Sequence, residues 1–495
     1  MPKIKVGPIL GLESDTQYTV CFSTDKNVAE TQWAIDGKKV SCQKVGNTPS
    51  STVWKAVYKV SLGNDSKNIS YQILIDGEGG SCKNKRDEWY FYSPGKRQDP
   101  KFAYMSCNGF SSLDLMHKTQ EPYGLWEKML KQNQDEPLSL MLMGGDQLYG
   151  DSIWSSVPEL KKWNDLPHDK KISSRPVSKT LCDQIDRFYD TLYQERWNTS
   201  AMSLMLATVP SVMMWDDHDI FDGWGSFPSD IQNCSVFQQI FKTAKSYFEI
   251  FQIRSKNNVT LLDKDAGHYA FALEFRGYHI LALDNRSERT LGQVMSHDSQ
   301  WPLLNDYLQQ LDDGGHLLVL SGVPVVYRDF SSTESVFDAT PWEEELTDDL
   351  KDHWRSKNHQ GERARLIHRI LDSTARRAKI NAECKTVILS GDVHIGCLGV
   401  IHNQTNGCKI HQVVSSGIVH PAPSRLQWIG IMAVTNDRPE YLDENREVHI
   451  SMLKPFASDQ YIRCRNYITL SMGSDKKLWV NWESEGKDKP YYPIQ

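Results

Sequence analysis

The chain has 495 residues, 39% of them hydrophobic and 24% charged, with a formal net charge of -7 at pH 7. This length and composition are typical of a folded protein of two or three domains. The acidic balance argues against a protein that mainly binds a nucleic-acid backbone, because that function needs clustered Lys and Arg. An acidic enzyme that handles phosphate must supply positive charge locally, from metal ions or from a few arginines.

The N-terminal sequence MPKIKVGPILGLESD has one short apolar stretch, which Pro8 and Gly11 interrupt, and it lacks the apolar region of a signal peptide. No segment reaches the roughly 18 uninterrupted apolar residues of a membrane-spanning helix. We therefore expect a cytoplasmic protein without a transmembrane segment, with non-classical export as an alternative. The ten cysteines show no C-x-x-C spacing, so most are expected to be buried thiols.

The first part of the chain shows short runs of alternating apolar and polar residues, such as TQYTVCFST and STVWKAVYKVSL. Such runs, separated by turn residues, are typical of small all-β domains, and we predict a β-sandwich over residues 1–97. The stretch YSPGKRQDP is rich in Pro, Gly and charge, which favours an exposed linker. A second, catalytic domain is therefore predicted over residues 98–495.

After this linker, short apolar runs alternate with helical patterns, which predicts an α/β domain. Ligands of open α/β sheets bind beyond the carboxyl ends of the strands. Polar clusters follow several predicted strands, so the functional site is expected at those ends. The strand-forming runs end at Met143, Trp215, Asp284, Gly322, Asp392 and Gly417.

The first polar cluster, GGDQLYGD, directly follows a predicted buried strand. Its two glycines let the backbone turn sharply, which brings Asp146 and Tyr149 to one side of a helical turn. A carboxylate and a phenol that converge there suit a hard metal ion. The alternative is a strand-to-helix turn in which Asp146 caps the helix.

The second cluster, MWDDHDIFDGWGS, places Asp216, Asp217, Asp219 and Asp222 around His218. Carboxylates this close repel one another unless a cation neutralises them. A histidine among them is expected to have a raised pKa, which suits a general acid.

The third cluster, LSGDVHIG, contains Asp392 and His394, two positions apart on an extended segment. Side chains with this spacing point the same way and can reach one metal pair. A D-x-H pair alone is weak evidence, but three acidic clusters at strand ends together predict a metal centre.

The triplet GDQLY, WDDHD and SGDVH resembles the metallophosphatase superfamily, and within it the PhoD-like (alkaline phosphatase D) branch. The sequence LDNR, which ends at Arg286, and the set Asp352, Trp354, Glu362 and Arg363 are similar to motifs of that branch. The resemblance runs from about residue 101 to the end of the chain. It implies a four-layer α/β/β/α sandwich preceded by a small β domain, and a multinuclear centre of Fe3+ and Ca2+, with Mn2+ or Zn2+ as other possible metals.

The resemblance also implies a set of ligands. The Asp-x-His motif that opens most metallophosphatases is absent, and the sequence SCNGF instead offers Cys107. Tyr149 would bind iron as a phenolate, Asp146 would bridge metals, and Asp217 is preferred to Asp216. The expected metal ligands are Cys107, Asp146, Tyr149, Asp217, Asp392 and His394.

The expected function is hydrolysis of a small-molecule or lipid phosphoester by a metal-bound hydroxide, with His218 as the general acid. Arg286 is a candidate clamp on a phosphate oxygen, and a surface salt bridge is its alternative. A phosphodiesterase or phospholipase-like activity on the same centre is a rival hypothesis. A binding or regulatory protein that has lost catalysis is another, and the acidic balance disfavours a nuclease.

Overall fold

The computed structural model describes residues 2–83, 85–172, 175–329, 353–486 and 488–495. Its described residues form a mixed α/β protein with several sheets, which confirms the predicted fold class. The strands are β1 (Val6–Ser14), β2 (Gln17–Asp25), β3 (Thr31–Ile35), β4 (Lys38–Ser41), β5 (Gln43–Asn47), β6 (Ser51–Lys59), β7 (Lys67–Ile75), β8 (Glu78–Gly79), β9 (Glu88–Ser93), β10 (Phe102–Met105), β11 (Leu140–Gly144), β12 (Ser211–Met214), β13 (Phe271–Phe275), β14 (Tyr278–Ala282), β15 (His316–Ser321), β16 (Thr386–Ser390), β17 (Gly396–Asn403), β18 (Lys409–Ser415), β19 (Glu440–Tyr441), β20 (Val448–Leu453), β21 (Tyr461–Ile462), β22 (Asn466–Met472), β23 (Leu478–Ser484) and β24 (Tyr491–Ile494).

The described α-helices are concentrated after β10, where the sequence changes from alternating to helical patterns. They are α1 (Leu113–Lys118), α2 (Gly124–Asp135), α3 (Ile153–Ser156), α4 (Pro158–Asn164), α5 (His168–Lys171), α6 (Lys179–Arg196), α7 (Ser200–Thr208), α8 (Ser229–Gln232), α9 (Ser235–Tyr247), α10 (Gln300–Gln310), α11 (Gln360–Ile380) and α12 (Arg425–Val434). None of the helices in these described ranges is long and apolar enough to cross a membrane.

The strands form two large sheets and one small one. The ten-stranded sheet has the order β24-β23-β22-β10-β11-β12-β1-β2-β6-β5, and the nine-stranded sheet runs β13-β14-β15-β16-β18-β17-β20-β19, with β21 paired to β17. A five-stranded sheet has the order β4-β3-β7-β8, with β9 paired to β7. Strands β10, β11 and β12 are parallel, as are β14, β15, β16 and β18.

The N-terminal strands extend the ten-stranded sheet. Strand β1 pairs in parallel with β12, where Gly11 lies opposite Ser211. The Tyr71 hydroxyl of β7 donates a hydrogen bond of 2.6 Å to the carbonyl of Ala207 at the end of α7. The predicted boundary between residues 97 and 98 stays a prediction, but residues on its two sides share one sheet and one hydrophobic core.

The faces of the two large sheets are covered differently. In β11, Met141 and Met143 pack with residues of α2, α6, α7 and α9, whereas Leu140 and Leu142 pack with residues of the nine-stranded sheet. Strand β15 alternates in the same way between that interior and a third cluster that includes α10 and α11. This packing is consistent with the order α/β/β/α, which stays a prediction. The central strands of both sheets are therefore buried on two faces. Their sequences are almost continuously apolar in β11, β12, β14, β15 and β16.

The junction between β1 and β12 gives a first prediction. The buried Arg254 guanidinium donates to the Ser211 carbonyl (2.8 Å) and hydroxyl (2.7 Å), and a Cβ added at Gly11 would overlap this guanidinium. Gly11→Ala is expected to lower the free energy of unfolding by about 1–3 kcal/mol, as overpacked core positions do. Urea unfolding measures the change. Gly79→Ala, where an added Cβ meets nothing within 4 Å, is the control, and equal stability of the two variants would contradict the packing described.

Candidate metal centre

Four loops of the two large sheets each carry a candidate residue at the same distance from the end of the preceding strand. Cys107, Asp146, Asp216 and Asp392 each lie two residues beyond the end of β10, β11, β12 and β16, respectively. The parallel register of β10, β11 and β12 aligns three of these loops at one edge of the ten-stranded sheet. The centre therefore forms at the carboxyl ends of buried strands, where the sequence predicted it.

The backbone turns unusually tightly at four of the six predicted ligands. Cys107, Asp146, Asp392 and His394 have φ angles of 52°, 53°, 69° and 53°. This left-handed region is uncommon for residues other than glycine, and such conformations persist when surrounding contacts hold them. Here Asp146 accepts a backbone hydrogen bond from Asn108 (2.8 Å) and Cys107 accepts one from His420 (3.1 Å). The turns direct these side chains away from the continuing strand direction.

Four carboxylates meet in the interior. Oxygen atoms of Asp146, Asp216, Asp217 and Asp392 lie within 4.8 Å of one another, and each residue is at most 6% exposed. A second group combines Asp146 and Asp217 with a nitrogen of His218. Burial raises the pKa of Asp146 well above its usual range, and Asp216 and Asp217 add to the rise while His218 opposes it. Such a cluster is stable in its charged form only beside cations.

Asp216 is a residue that the sequence analysis placed second to Asp217. The structure brings both into the acidic cluster, with Asp216 at the loop position that matches Asp146. The one-residue spacing between these two aspartates could not separate their directions in advance. A carboxylate of Asp219 accepts hydrogen bonds from the backbone of Asp216 (3.0 Å) and Leu148 (3.1 Å), so Asp219 holds the turn in place.

Arg286 lies fully buried against the acidic turn. Its Nε donates to Asp216, its Nη2 lies 3.2 Å from Asp217 Oδ1, and its Nη1 donates to the Trp224 carbonyl (3.1 Å). Asp284, the acidic residue of the LDNR sequence, accepts the backbone N–H of Arg286 (3.0 Å) and so shapes its loop. Arg286 thus supplies positive charge to the cluster. Its role as a phosphate clamp stays a prediction. In that role Arg286 would have to give up contacts with Asp216, Asp217 or the Trp224 carbonyl.

Cys107 lies at the base of the cluster. Its Sγ is 3.3 Å from Asp146 Oδ2 and 2.9 Å from the hydroxyl of Ser416. Burial raises the pKa of the thiol well above its usual range, and the carboxylate of Asp146 raises it further. Because the pKa is raised, the thiolate forms here only beside a cation. The thiolate, and not the thiol, is the strong metal ligand.

Four aromatic rings form a stack along the centre. Tyr149 stacks on His218 at 4.1 Å between ring centroids and on His420 at 5.6 Å, and His420 stacks on His394 at 3.8 Å. A Cβ at Gly109 would overlap the Tyr149 ring, so glycine leaves the space that the ring fills. The stack fixes the positions of two predicted ligands, Tyr149 and His394, relative to His218.

His218 is oriented by a carboxylate that the sequence analysis did not single out. Its Nδ1 lies 3.0 Å from Asp151 Oδ2, and Asp151 Oδ1 accepts the backbone N–H of Asp222 (2.7 Å). Burial lowers the pKa of His218, but Asp151 and Asp217 raise it more, so that it lies well above its usual range. Asp151 therefore holds the ring through Nδ1, and Nε2 lies on the side of the ring away from this carboxylate.

His394 and His420 lie in a different electrostatic environment. Burial and the neighbouring rings lower the pKa of His394 well below its usual range, and burial and His218 lower that of His420 to about 3. Both rings are therefore neutral, which is the form that binds metal ions. The backbone N–H of His394 donates to the Ser416 hydroxyl (3.0 Å), which also contacts Cys107.

The sequence carried only weak signals for Asp151, Ser416 and His420. Asp151 belongs to the first quoted cluster, but its spacing from His218 gives no sign of contact. Ser416 lies within the predicted strand run that ends at Gly417, and His420 follows that run, so the sequence assigned neither residue a role. Asp352 lies outside the described residues. The other motif residues, Trp354, Glu362 and Arg363, bond to Ser321, to the loop at Val294 and to Glu440, respectively.

Comparisons with known proteins agree with this geometry. A family model described as PhoD related phosphatase matches residues 89–343. An uncharacterized protein of Saccharomyces cerevisiae is 26% identical over 408 residues, which are 70% of this chain and 56% of that protein. The chain therefore spans about half the length of the curated relative it matches.

Among solved structures, one described as the structure of PhoD aligns with a TM-score of 0.63 at 13% identity, over 99% of this chain and 88% of that chain. This likeness shows a shared fold. The family model extends over more than half of the 495 residues and includes three of the four strand ends that carry the candidate residues. The resemblance found in the motifs is confirmed, and the protein belongs to the PhoD-related phosphatase family.

Proposed function

We propose that this protein is a metal-dependent phosphoester hydrolase that acts as a phosphatase. The observation that carries the proposal is the buried cluster of Asp146, Asp216, Asp217 and Asp392, whose oxygens lie within 4.8 Å of one another. Arg286 forms ion pairs with two carboxylates of this cluster, Asp216 and Asp217. Membership of a phosphatase family supports the same function. The substrate class is a small-molecule or lipid phosphoester.

The donor set fits metal ions. Asp146 Oδ1 is buried and has no hydrogen-bond partner among the described residues, and the same is true of His394 Nδ1. A buried carboxylate oxygen without a partner is costly, and a cation would remove that cost. Four carboxylates, a thiol, a phenol and imidazoles suit both hard cations and a softer transition metal.

The ligands can be divided by chemistry. Cys107 offers sulfur beside Asp146, and Tyr149 offers a phenolate oxygen. These two donors suit Fe3+, whereas a set of carboxylates suits Ca2+. We propose Cys107, Asp146, Tyr149, Asp217, Asp392 and His394 as the metal ligands, with Asp216 added. Mn2+ and Zn2+ are the alternatives. When bound, the cations would neutralise phosphoryl charge and lower the pKa of an attacking water.

The residues of the chain have separate tasks in this proposal. His218, oriented by Asp151 and stacked on Tyr149, would give its proton to the leaving oxygen. Arg286 would keep Asp216 and Asp217 in position by its ion pairs with them. The near-complete burial of these groups lowers the local dielectric, which strengthens their interaction with a phosphoryl group.

The metal requirement can be tested with Asp146→Asn. The variant is expected to lose bound metal and to hydrolyse an aryl phosphate monoester at least about 100-fold more slowly, because one of the carboxylates that would hold the metal is removed. Elemental analysis and initial rates measure the two effects, and an aryl diester assayed in parallel tests the rival phosphodiesterase activity.

Asp230→Asn, at an exposed carboxylate paired with His168, is the matched control and should retain both properties. In metal-free protein, Asp146→Asn should be at least as stable as the wild type, because one member of a repulsive cluster has become neutral. A wild-type protein that is fully active without metal would refute the proposed function.

The iron assignment predicts a colour. A phenolate bound to Fe3+ absorbs visible light, so purified protein should be coloured, Tyr149→Phe should lose the band, and Cys107→Ser should lower the iron content. Tyr90→Phe, at a side chain that is 53% exposed, should change neither property. An active, colourless preparation without iron would exclude this assignment and would favour Mn2+ or Zn2+.

The proton-donor role of His218 predicts a dependence on the leaving group. His218→Asn is expected to slow esters with poor leaving groups by about 100-fold or more, and esters with good leaving groups far less, because only a poor leaving group needs the proton. Asp151→Asn should change rates in the same direction by a smaller factor. The control is His168→Asn, at an exposed histidine, and equal losses for all esters would show that His218 has another task.

A further inference from the structure

One face of helix α12 is buried beside the proposed metal centre. Trp428 and Ile431 are 8% and 7% exposed, and they lie in one hydrophobic cluster with Val393. Val393 stands between Asp392 and His394 in the sequence. The buried face therefore attaches α12 to the loop that carries two of the proposed metal ligands.

The opposite face of α12 is apolar and exposed. Leu426, Ile429 and Met432 are 81%, 55% and 42% exposed. They follow one another at intervals of three residues, which places them on one side of the helix. A surface helix of a globular protein normally carries polar or charged residues on the side away from the core. An exposed group of large apolar side chains is typical of a surface that binds a protein or a membrane.

Arginines surround the exposed face of α12. Arg425 is the first residue of the helix, Arg438 follows its C-terminal end, and the Arg463 guanidinium lies 5.9 Å from the ring centre of Trp428. The three arginines are exposed, and none of them forms an ion pair with another residue that the structure describes. Their positive charges are therefore available to an anionic partner.

Few carboxylates oppose these arginines. The sequence from 393 to 436 contains no Asp or Glu, although the chain has 63 acidic residues. The next two acidic residues are already paired with buried arginines, Asp437 with Arg328 and Glu440 with Arg363. The surface around α12 is therefore positively charged, although the whole chain has a net charge of -7.

The combination of an apolar face and a positive border selects one class of partner. In a symmetric dimer through α12, the same arginines of both copies would come close together and repel one another. The surface of an anionic phospholipid bilayer offers hydrocarbon to the apolar side chains and negative phosphates to the guanidinium groups. A bilayer surface thus satisfies both features at once.

We propose that the exposed face of α12 docks onto the surface of an anionic phospholipid bilayer. Leu426, Ile429 and Met432 would enter the boundary between headgroups and acyl chains, and the helix would lie in the plane of the surface. Arg425 and Arg463 would bind lipid phosphates. The inference goes beyond the proposed phosphatase function, because it concerns where the protein binds and involves no chemical step.

The test measures binding of the full-length protein to lipid vesicles by co-sedimentation. One set of vesicles contains phosphatidylcholine alone, and the other contains about one third phosphatidylserine. The protein should bind the anionic vesicles more tightly, and added salt should weaken this binding, because salt screens the attraction between arginines and headgroups. The proposal is overturned if the protein binds neither kind of vesicle.

Matched variants connect the binding to α12. Ile429→Gln should weaken vesicle binding about ten-fold, because a polar side chain gains nothing from the acyl region. Ile380→Gln, at an isoleucine of α11 that is 59% exposed, is its control and should bind like the wild type. Arg425→Gln should weaken binding about five-fold and reduce its salt dependence, whereas Arg369→Gln, at an exposed arginine of α11, should not.

Equal binding by the α12 variants and their controls would overturn the proposal. Thermal unfolding checks that all four variants keep the stability of the wild type, as expected for exposed positions, so that weaker binding is not a loss of folding.

Two further measurements distinguish other uses of this face. Sedimentation velocity without lipid tests a second copy as the partner, and a dimer that Ile429→Gln dissociates would overturn the proposal. Inorganic phosphate, added at constant ionic strength, competes for the metal centre and should leave the protein on the vesicles. Release by phosphate would place the lipid headgroup in the metal centre and would also overturn it. None of these measurements needs hydrolysis, so failure of the phosphatase function would leave the test of docking intact.

Discussion

The repulsion among buried carboxylates is the constraint around which this structure is organised. Two unit charges 4 Å apart interact with about 4 kcal/mol at the effective dielectric constant of a protein surface, and more strongly inside. Asp146, Asp216, Asp217 and Asp392 nevertheless share one buried volume. Arg286 offsets part of this charge by pairing with two of them. The negative charge that Arg286 does not offset explains why the site is best understood as a centre for cations.

The parallel strands provide the rigidity that such a cluster requires. Three neighbouring strands of one sheet and a strand of the other end at the same level, and each is followed two residues later by a candidate ligand. Their side chains are buried on both faces, so the strand ends cannot move apart to relieve the repulsion. The left-handed turns at Cys107, Asp146 and Asp392 add direction to this placement. Strand β1 covers the remaining edge of β12 and ties the N-terminal strands to the same sheet.

The histidines around the acidic cluster differ in pKa because their neighbours differ. His218 faces Asp151 and has a raised pKa, whereas His394 and His420 face other rings and have lowered pKa values. One stack of rings therefore joins a histidine with a raised pKa at one end to two histidines with lowered pKa values at the other. This difference in pKa gives His218 and His394 the protonation states that their proposed tasks, proton donation and metal binding, need.

The sequence by itself determined the class of fold, the strand ends at which polar clusters collect, and the identity of the family, because these depend on local periodicity and on short motifs. It preferred Asp217 to Asp216 only by resemblance, since adjacent residues in a turn share their motif and differ only in direction. The contacts of His218 with Asp151, of Cys107 with Ser416, and of Tyr149 with His420 join residues that are up to hundreds of positions apart. Only the tertiary structure decided them, as it decided that the N-terminal strands join the ten-stranded sheet, because pairing between distant strands depends on packing that no local pattern records.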